Sequence, residues 1–388
     1  MQQMKKACLM MALIICLLGV SWMSYADAEN VWMLAVNVGK GDAILLSVDD
    51  AVVLVDTGYP YARGKILTAM EYMGVSKLDA VFITHTDKDH VGGLEWLGES
   101  GIPVDAWYAS AMYMETTENK HPLAVTARSR GQEAQWLKAG DHVQLGNAVF
   151  SVLAPIEMAQ DKDDNNSLVM MLETAEGRIL LTGDMEFQEE ETVIDSGAQL
   201  KCDVLKVGNH GDNDATSEEL LSYARPKAAV ISTSSAEKPG TPSGRVLRQL
   251  QKIGAQTACT QDAELGVLVR LKGGSPSIDL LDVTRPETSV VIESVDAEDD
   301  RIILRNTAAE DVDVSGWYLF SERGNEMMVF PESTMISAGS MLTVSTLSSD
   351  RQGDIVWKDK KVVHQKKDDL ITLYEAHGFS VSQKGNGR

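Results

Sequence analysis

The chain has 388 residues, a formal net charge of −22 and 44% hydrophobic residues. That length suggests two domains, and the acidic excess excludes the basic footprint of a high-affinity duplex-DNA binder. Only seven histidines occur, so any place where they gather carries information.

Residues 1–28 read as a secretory signal. Lys5-Lys6 form the charged start, Leu9–Val20 the apolar run and Ala26-Asp27-Ala28 the cleavage site. The apolar run is shorter than the ~20 residues of a membrane span, and no later stretch approaches that length. The expectation is a secreted, extracellular chain with no stable membrane span after processing. Cys8 and Cys16 leave with the signal, so Cys202 and Cys259 remain. They are read as two buried free thiols, with one disulfide as the alternative.

Residues 29–285 alternate apolar, strand-like runs with helical stretches. Val36–Leu46 (V-N-V-G-K-G-D-A-I-L-L) reads as strand-turn-strand and Val53–Gly58 (V-L-V-D-T-G) as a second strand with its turn. A helix follows over Arg63–Met73, then a buried strand over Leu78–Ile83. That strand runs into Thr84–Leu94 (T-H-T-D-K-D-H-V-G-G-L), where Gly92-Gly93 lets the backbone fold tightly. Ala124–Leu137 is expected to be helical, and Gln160–Asn166 is a polar loop before a strand over Ser167–Leu172. Leu180–Asp184 (L-L-T-G-D) is an apolar strand ending in Gly and a carboxylate. Val204–Val207 is another, ending in Gly208-Asn209-His210-Gly211. Ala228–Thr233 and Leu265–Leu271 read as late strands, with a helix over Arg245–Ile253 between them.

The chemistry concentrates after Ile83. His85, Asp87, Asp89 and His90 place two imidazoles and two carboxylates on one loop, a binding edge for one or two divalent cations. Asp184 and His210, presented at other strand ends, complete a first-row ligand set. A shared carboxylate with His and Asp from separate loops suits two cations about 3.5–4 Å apart, the spacing that clamps a phosphoester and activates water. Plainer readings are a solvated polar loop, a turn-capping Asp184 and a turn histidine at His210.

The pattern H-x-D-x-D-H-x-G-G resembles the metallo-β-lactamase superfamily. The segments V-N-V-G-K-G-D-A, V-L-V-D-T-G, N-N-S-L-V-M-M-L, I-L-L-T-G-D and D-V-L-K-V-G-N-H-G are similar to it in the same order, over about residues 31–272. The combination looks most like the subgroup in competence DNA-uptake proteins of ComEC type. The resemblance implies an αββα sandwich and hydrolysis by a metal-bound hydroxide, with nucleic acid or a nucleotide phosphodiester as the substrate class. It implies His85, Asp87, Asp89, His90, Asp184 and His210 as ligands to two Zn or Mn ions. Asp89 is the candidate to orient the attacking water. Asp56, Asn165, Asn166 and Asn209 would brace the site or meet substrate. The chain departs from the family at Asn209 and Thr241, where histidines are common, and at Asn37, where Asp is usual. Two acidic residues, Asp212 and Asp214, stand nearby. These departures lean towards harder cations such as Mn²⁺ beside Zn²⁺. They also leave two alternatives open: hydrolysis of a small ester, lactone or cyclic nucleotide, and a non-catalytic, metal-stabilised extracellular binding protein.

From residue 286 to 388 the pattern changes to short strands with turn signals, which suggests a small all-β sandwich. Expected strands are Ser289–Val295, Arg301–Arg305, Trp317–Phe320, Met341–Ser345 and Leu370–Tyr374. I-L-R-N, V-S-G-W-Y-L, A-G-S-M-L and D-D-L resemble the Ig-like lamin-tail domain, with Ala338 and Asp368 in place of its usual Pro and Gly. Such a module would bind another extracellular component. Trp317 is read as the core anchor of this sandwich.

Overall fold

The computed structural model describes residues 31–113, 120–157, 164–359 and 361–387. The expected signal segment and residues 160–163 of the polar loop lie outside the described residues.

Two mixed sheets face each other. The first begins with β1 (Val31–Val36), β2 (Ile44–Val48), β3 (Ala51–Val55), β4 (Leu78–Ile83), β5 (Val104–Ser110) and β6 (Ala134–Leu137). The second collects β7 (His142–Leu145), β8 (Ala148–Ala154), β9 (Val169–Thr174), β10 (Gly177–Leu181), β11 (Val204–Lys206), β12 (Ala228–Ile231) and β13 (Gln256–Cys259). The chain then returns to the first sheet through β14 (Gly266–Lys272) and β15 (Ser275–Leu281), giving the order β15-β14-β1-β2-β3-β4-β5-β6. The second sheet has the order β13-β12-β11-β10-β9-β8-β7.

Side-chain alternation explains the layering. Met33, Ile44, Leu46, Val53 and Phe82 point inward to meet Phe150, Met170, Leu172, Ile179 and Val204 of the other sheet. The opposite face of the first sheet (Leu34, Leu45, Leu54, Val81, Ile83) is covered by α1 (Arg63–Tyr72), α2 (Lys88–Val91), α3 (Leu94–Glu99) and α4 (Pro122–Ser129). The outer face of the second is covered by α5 (Phe187–Asp195), α6 (Glu218–Ala224) and α7 (Gly244–Ile253). The result is the αββα sandwich that the motif order implies.

The helix expected over residues 124–137 ends early. Helix α4 stops at Ser129, Gly131 turns at φ +71°, and residues 134–137 become β6, paired in parallel with β5. The Gln132 side chain fixes that break. It donates to the Val104 carbonyl (2.8 Å) and accepts from Trp107 Nε1 (2.9 Å). Cys202 and Cys259 are both free and buried.

The C-terminal part forms two four-stranded sheets around one core that includes Ile292, Leu304, Leu319, Val344 and Leu373. One sheet runs Val290–Asp296, Arg301–Asn306, Met341–Thr346, Ile355–Trp357; the other runs Glu326–Val329, Tyr318–Ser321, Leu370–Tyr374, Ser380–Gly385. The tryptophan at its centre is Trp357, only 2% exposed, with its Nε1 on Asp359 (2.9 Å). Trp317 packs half-buried at the edge of that core. The expectation named the wrong indole because S-G-W marks a turn, where a large ring cannot reach the centre.

This sandwich sits against the start of α1. Four rings stack in line: Tyr59 on Tyr61 (5.3 Å), Tyr61 on Tyr374 (5.7 Å) and Tyr374 on Tyr318 (5.0 Å). Tyr318 Oη donates to the Tyr61 carbonyl (2.7 Å). Lys65 Nζ lies 3.7 Å over the Phe379 ring. Gly64 and Gly378 meet backbone to backbone; a Cβ on Gly64 would fall 2.3 Å from the Gly378 nitrogen.

Candidate metal centre

Three loops at the strand ends build the site. The first follows β4. Thr84 is pinned there by Asp56, which accepts from the Thr84 N–H (2.8 Å) and from Thr84 Oγ1 (2.8 Å). Asp56 holds a left-handed φ of +59° at the end of β3, so its carboxylate turns back under the neighbouring strand. It also accepts from His90 Nδ1 (2.8 Å). Thr84 Oγ1 has only one proton, which it gives to Asp56, so it accepts from His85 Nδ1 (3.0 Å). The second loop carries His210, whose Nδ1 donates to the Ser232 carbonyl (3.0 Å).

All three histidines thus spend Nδ1 on the protein and turn Nε2 inward. That is the arrangement by which outer partners orient metal-binding imidazoles. Each of these Nε2 atoms is buried without a hydrogen-bond partner, as is Asp184 Oδ1. Asp184 Oδ2 is the common centre: it lies 3.0 Å from His210 Nε2, 3.3 Å from His90 Nε2 and 3.9 Å from His85 Nε2. Orphaned nitrogens and a shared carboxylate are costly to bury unless something joins them. Cations fit that need.

Two adjoining groups gather the proposed ligands, and a third brings Asp42 and Asp56 to His90. Asp89, His90, Asp184 and His210 make one, all buried; His85, Asp87 and Asp164 make the other, more open on its Asp87 side. His85 Nε2 is 3.9 Å from Asp164 Oδ1. The six proposed ligands therefore come together at one place, joined by Asp164. Divalent ions in these groups would polarise an ester oxygen and make a bound water more acidic.

Local backbone strain aims the His210 loop. Asn209 and His210 adopt left-handed φ values of +40° and +54° in succession, an arrangement that persists only where surroundings enforce it. Gly92 and Gly93 act by close approach, not by left-handed turns: their φ values are −60° and −82°. A Cβ on Gly93 would lie 2.4 Å from the Thr57 carbonyl, and one on Gly92 2.5 Å from the Lys88 carbonyl.

Charge explains the titration pattern. Burial opposes protonation of His90, but Asp184 and Asp56 outweigh it and hold its pKa well above the usual histidine value. His210 is raised likewise by Asp184, Asp89 and Asp42 against its burial. Burial and the charge of His90 lower His85. Asp184, despite burial, is held well below the usual carboxylate range by His210 and His90.

The asparagines stand behind the ligands. Asn165 donates to Glu186 Oε2 (3.0 Å) and Asn209 to Glu186 Oε1 (3.3 Å), so both brace the start of α5. Asn166 is buried in the same turn as Asn165. Thr241 is held by Thr233 (3.0 Å), Asp212 pairs with Lys238, and Asp214 accepts from Asn209 (3.5 Å). None of these three enters the ligand groups among the described residues.

Four residues of the site went unassigned in the sequence. Asp164 was hidden in an acidic loop. Asp42 closes the V-G-K-G-D turn, and its Oδ2 meets Lys206 Nζ at 2.8 Å, both fully buried. Lys40, in the same turn, donates to Asp89 Oδ2. An alternating Gly-Lys-Gly-Asp turn beside a known ligand loop was the available signal.

Residues 36–235 match the Metallo-beta-lactamase superfamily. The chain belongs to that superfamily. Residues 284–387 match the Lamin Tail Domain. The metallo-β-lactamase part is related to competence proteins. It is 30% identical over 235 residues to ComE operon protein 3 of Bacillus subtilis, covering 56% of this chain and 30% of that protein. It is 27% identical over 238 residues to competence protein ComA of Neisseria gonorrhoeae, covering 61% and 32%. This chain thus spans about a third of the length of those relatives. A crystal structure of the metallo-beta-lactamase fold protein YhfI from Bacillus subtilis aligns with a TM-score of 0.40 and 12% identity, over 62% of this chain and 98% of that one.

Proposed function

We propose that this chain is a secreted, metal-dependent phosphodiesterase acting on nucleic acid or nucleotides. The observation that carries the reading is the convergence of three unpartnered Nε2 atoms on Asp184, flanked by Asp89 and Asp164. Divalent ions held by these residues would supply the charge stabilisation that displacement at phosphorus needs. In that reading His85, His90 and His210 donate lone pairs, and Asp56 fixes the His90 ring. Asp89 orients the incoming water and receives its proton. The relatives bear the names of competence and recombination proteins, which supports a nucleic-acid substrate.

The overall charge of −22 shapes how such a substrate is held. A polyanion is repelled at long range, so contact is local and affinity for long strands is weak. That favours short or single-stranded substrates over duplex DNA. The lamin-tail sandwich, on this view, holds the enzyme to another extracellular component.

The experiment is a turnover panel with Mn²⁺ and Zn²⁺, setting single-stranded DNA, duplex DNA and RNA against bis-p-nitrophenyl phosphate, cyclic nucleotides and lactones. Cleavage of single-stranded polynucleotide supports the proposal. Turnover confined to the small diester or the cyclic nucleotides moves the assignment to a small-molecule phosphodiesterase. Silence from metal-loaded protein rejects catalysis. Secretion is tested separately, by sequencing the N-terminus of the protein in the culture medium; a chain retained in cells with residues 1–28 attached contradicts it.

A further inference from the structure

Charge is spread unevenly along this chain. Residues 358–367 (K-D-K-K-V-V-H-Q-K-K) carry five lysines against one aspartate, a local +4 in a protein of net −22. The segment lies in the lamin-tail sandwich, between the strands Ile355–Trp357 and Leu370–Tyr374. Its backbone is tied down by buried groups. Asp300, 3% exposed, accepts from the N–H groups of Val362 (3.0 Å) and Val363 (2.7 Å). Asp369, 5% exposed, accepts from the His364 N–H (2.9 Å). His364 Nδ1 accepts from the N–H groups of Lys366 (3.2 Å) and Lys367 (3.1 Å). Asn386 Nδ2 donates to the carbonyls of His364 (2.6 Å) and Lys367 (2.9 Å).

The buried carboxylates are thus spent on the backbone, and the ammoniums are left to solvent. Lys358, Lys361, Lys366 and Lys367 are exposed. Lys361 Nζ donates to Gln365 Oε1 (3.2 Å), and none of the four forms an ion pair with a carboxylate among the described residues. Arg323, exposed on the neighbouring turn, is set by its Nε on the Asp368 carbonyl (2.6 Å). With Lys361, His364, Lys366 and Glu326 it lines a shallow cleft of about 280 Å³. Beyond Arg323 the surface turns acidic, at Glu322 and Asp368, so the basic edge has a boundary. Position ties this edge to the centre. Glu326 opens the strand Glu326–Val329, which lies against the Pro60–Ala62 turn. Tyr61 of that turn donates to Glu237, which also accepts from the Lys40 N–H beside Asp89.

We propose that this basic edge of the lamin-tail sandwich is the docking surface for a single polynucleotide strand, its lysines and Arg323 meeting successive phosphates. The proposal rests on the nucleic-acid reading of the centre and names the extracellular component that the second domain holds. It accounts for how a protein of charge −22 keeps a polyanion: contact is confined to one exposed face, where release of counter-ions from the strand supplies the affinity. Ammoniums on phosphates carry no base preference, so docking is independent of sequence.

The test is fluorescence anisotropy of a labelled oligothymidylate of about 20 nucleotides, titrated at low salt with metal-free full chain so that nothing is cleaved. Wild type is compared with the triple variant Lys361→Gln, Lys366→Gln, Lys367→Gln. A control triple, Lys138→Gln, Lys201→Gln, Lys272→Gln, removes the same charge from exposed positions on the metallo-β-lactamase fold. The first triple should weaken binding at least tenfold and flatten the salt slope by about 2, three phosphate contacts at ~0.7 each; the control should stay within threefold of wild type. No binding by wild type overturns the proposal. So does a first triple within threefold of wild type, and so does an equal loss in the control, which would report a general field. Phosphatidylglycerol vesicles retained through these lysines while the strand is not bound would overturn it in favour of a membrane. Failure of the catalytic reading is a separate result: metal-loaded wild type that binds the strand through these lysines and leaves it intact keeps the docking surface and rejects the phosphodiesterase.

Discussion

At the scale of single residues, Asp56 shows how much of the centre is held from behind. It takes three hydrogen bonds, two from Thr84 and one from His90, and in doing so fixes the His90 ring and through Thr84 the His85 ring. Asp56→Asn should therefore weaken metal binding about 10–100-fold with the fold retained; chelator competition measures it, and undiminished affinity would refute the role. Protons report on the same residues. His90 and His210 are raised above the ordinary value of 6.5 by Asp184 and its neighbours. In the metal-free protein these imidazoliums add stability that is complete below pH 6.5 and lost as pH rises through their raised values. An entering ion displaces those protons, so metal affinity should rise with pH and binding should release at least about one proton near neutrality. Calorimetry in buffers of different ionisation enthalpy gives the number, and zero release would contradict the assignment. Glu189 titrates in a different sense: burial, with the charge of Asp164, pushes it well above 4.5. Its contribution is present below pH 4.5 and lost as pH rises, so Glu189→Gln should match wild type near pH 4 and exceed it at pH 8 by on the order of 1–2 kcal/mol in urea unfolding.

At the scale of elements, the sheets and the ligand loop were legible because they obey short-range rules. Leu78–Ile83 and Leu180–Leu181 are apolar runs that end in polar residues, and the structure places strands there with Asp184 just beyond. Elements set by distant contacts were not legible. Residues 134–137 continue a helical pattern, yet they form a strand because β5 offers an open edge and Gln132 ties the turn to Trp107. Asp164 is a ligand neighbour only because a short turn carries it to His85, from a loop whose composition suggests nothing but solvation. Trp357 outranks Trp317 for a comparable reason: which indole reaches the core depends on sandwich closure. Close approach of elements also makes a prediction. Gly93→Ala sets a Cβ against the Thr57 carbonyl in a packed turn, and should cost about 1–3 kcal/mol in thermal or denaturant unfolding. A neutral effect would mean the turn is looser than this packing.

At the scale of the whole molecule, the lamin-tail sandwich and the metallo-β-lactamase fold share a built interface. Residues 282–289 between them lack regular secondary structure and are mostly exposed, while the Tyr59, Tyr61, Tyr374 and Tyr318 stack joins the two bodies. Proteolysis within that segment should leave the two fragments associated on size exclusion, and Tyr374→Ala should let them part; separation of the wild-type fragments would contradict the interface. The stack also reaches the centre, since Tyr61 and Lys40 both bind Glu237, so the second domain steadies one wall of the site. The proposed function rests on the buried cluster being a metal centre. The most direct measurement is the metal content of the intact chain after loading with Zn²⁺ or Mn²⁺, by native mass spectrometry with elemental analysis. The predicted result is two ions per wild-type chain and at most one in Asp184→Asn, because that carboxylate is shared. A folded wild-type chain that holds no ion of either metal would contradict the account.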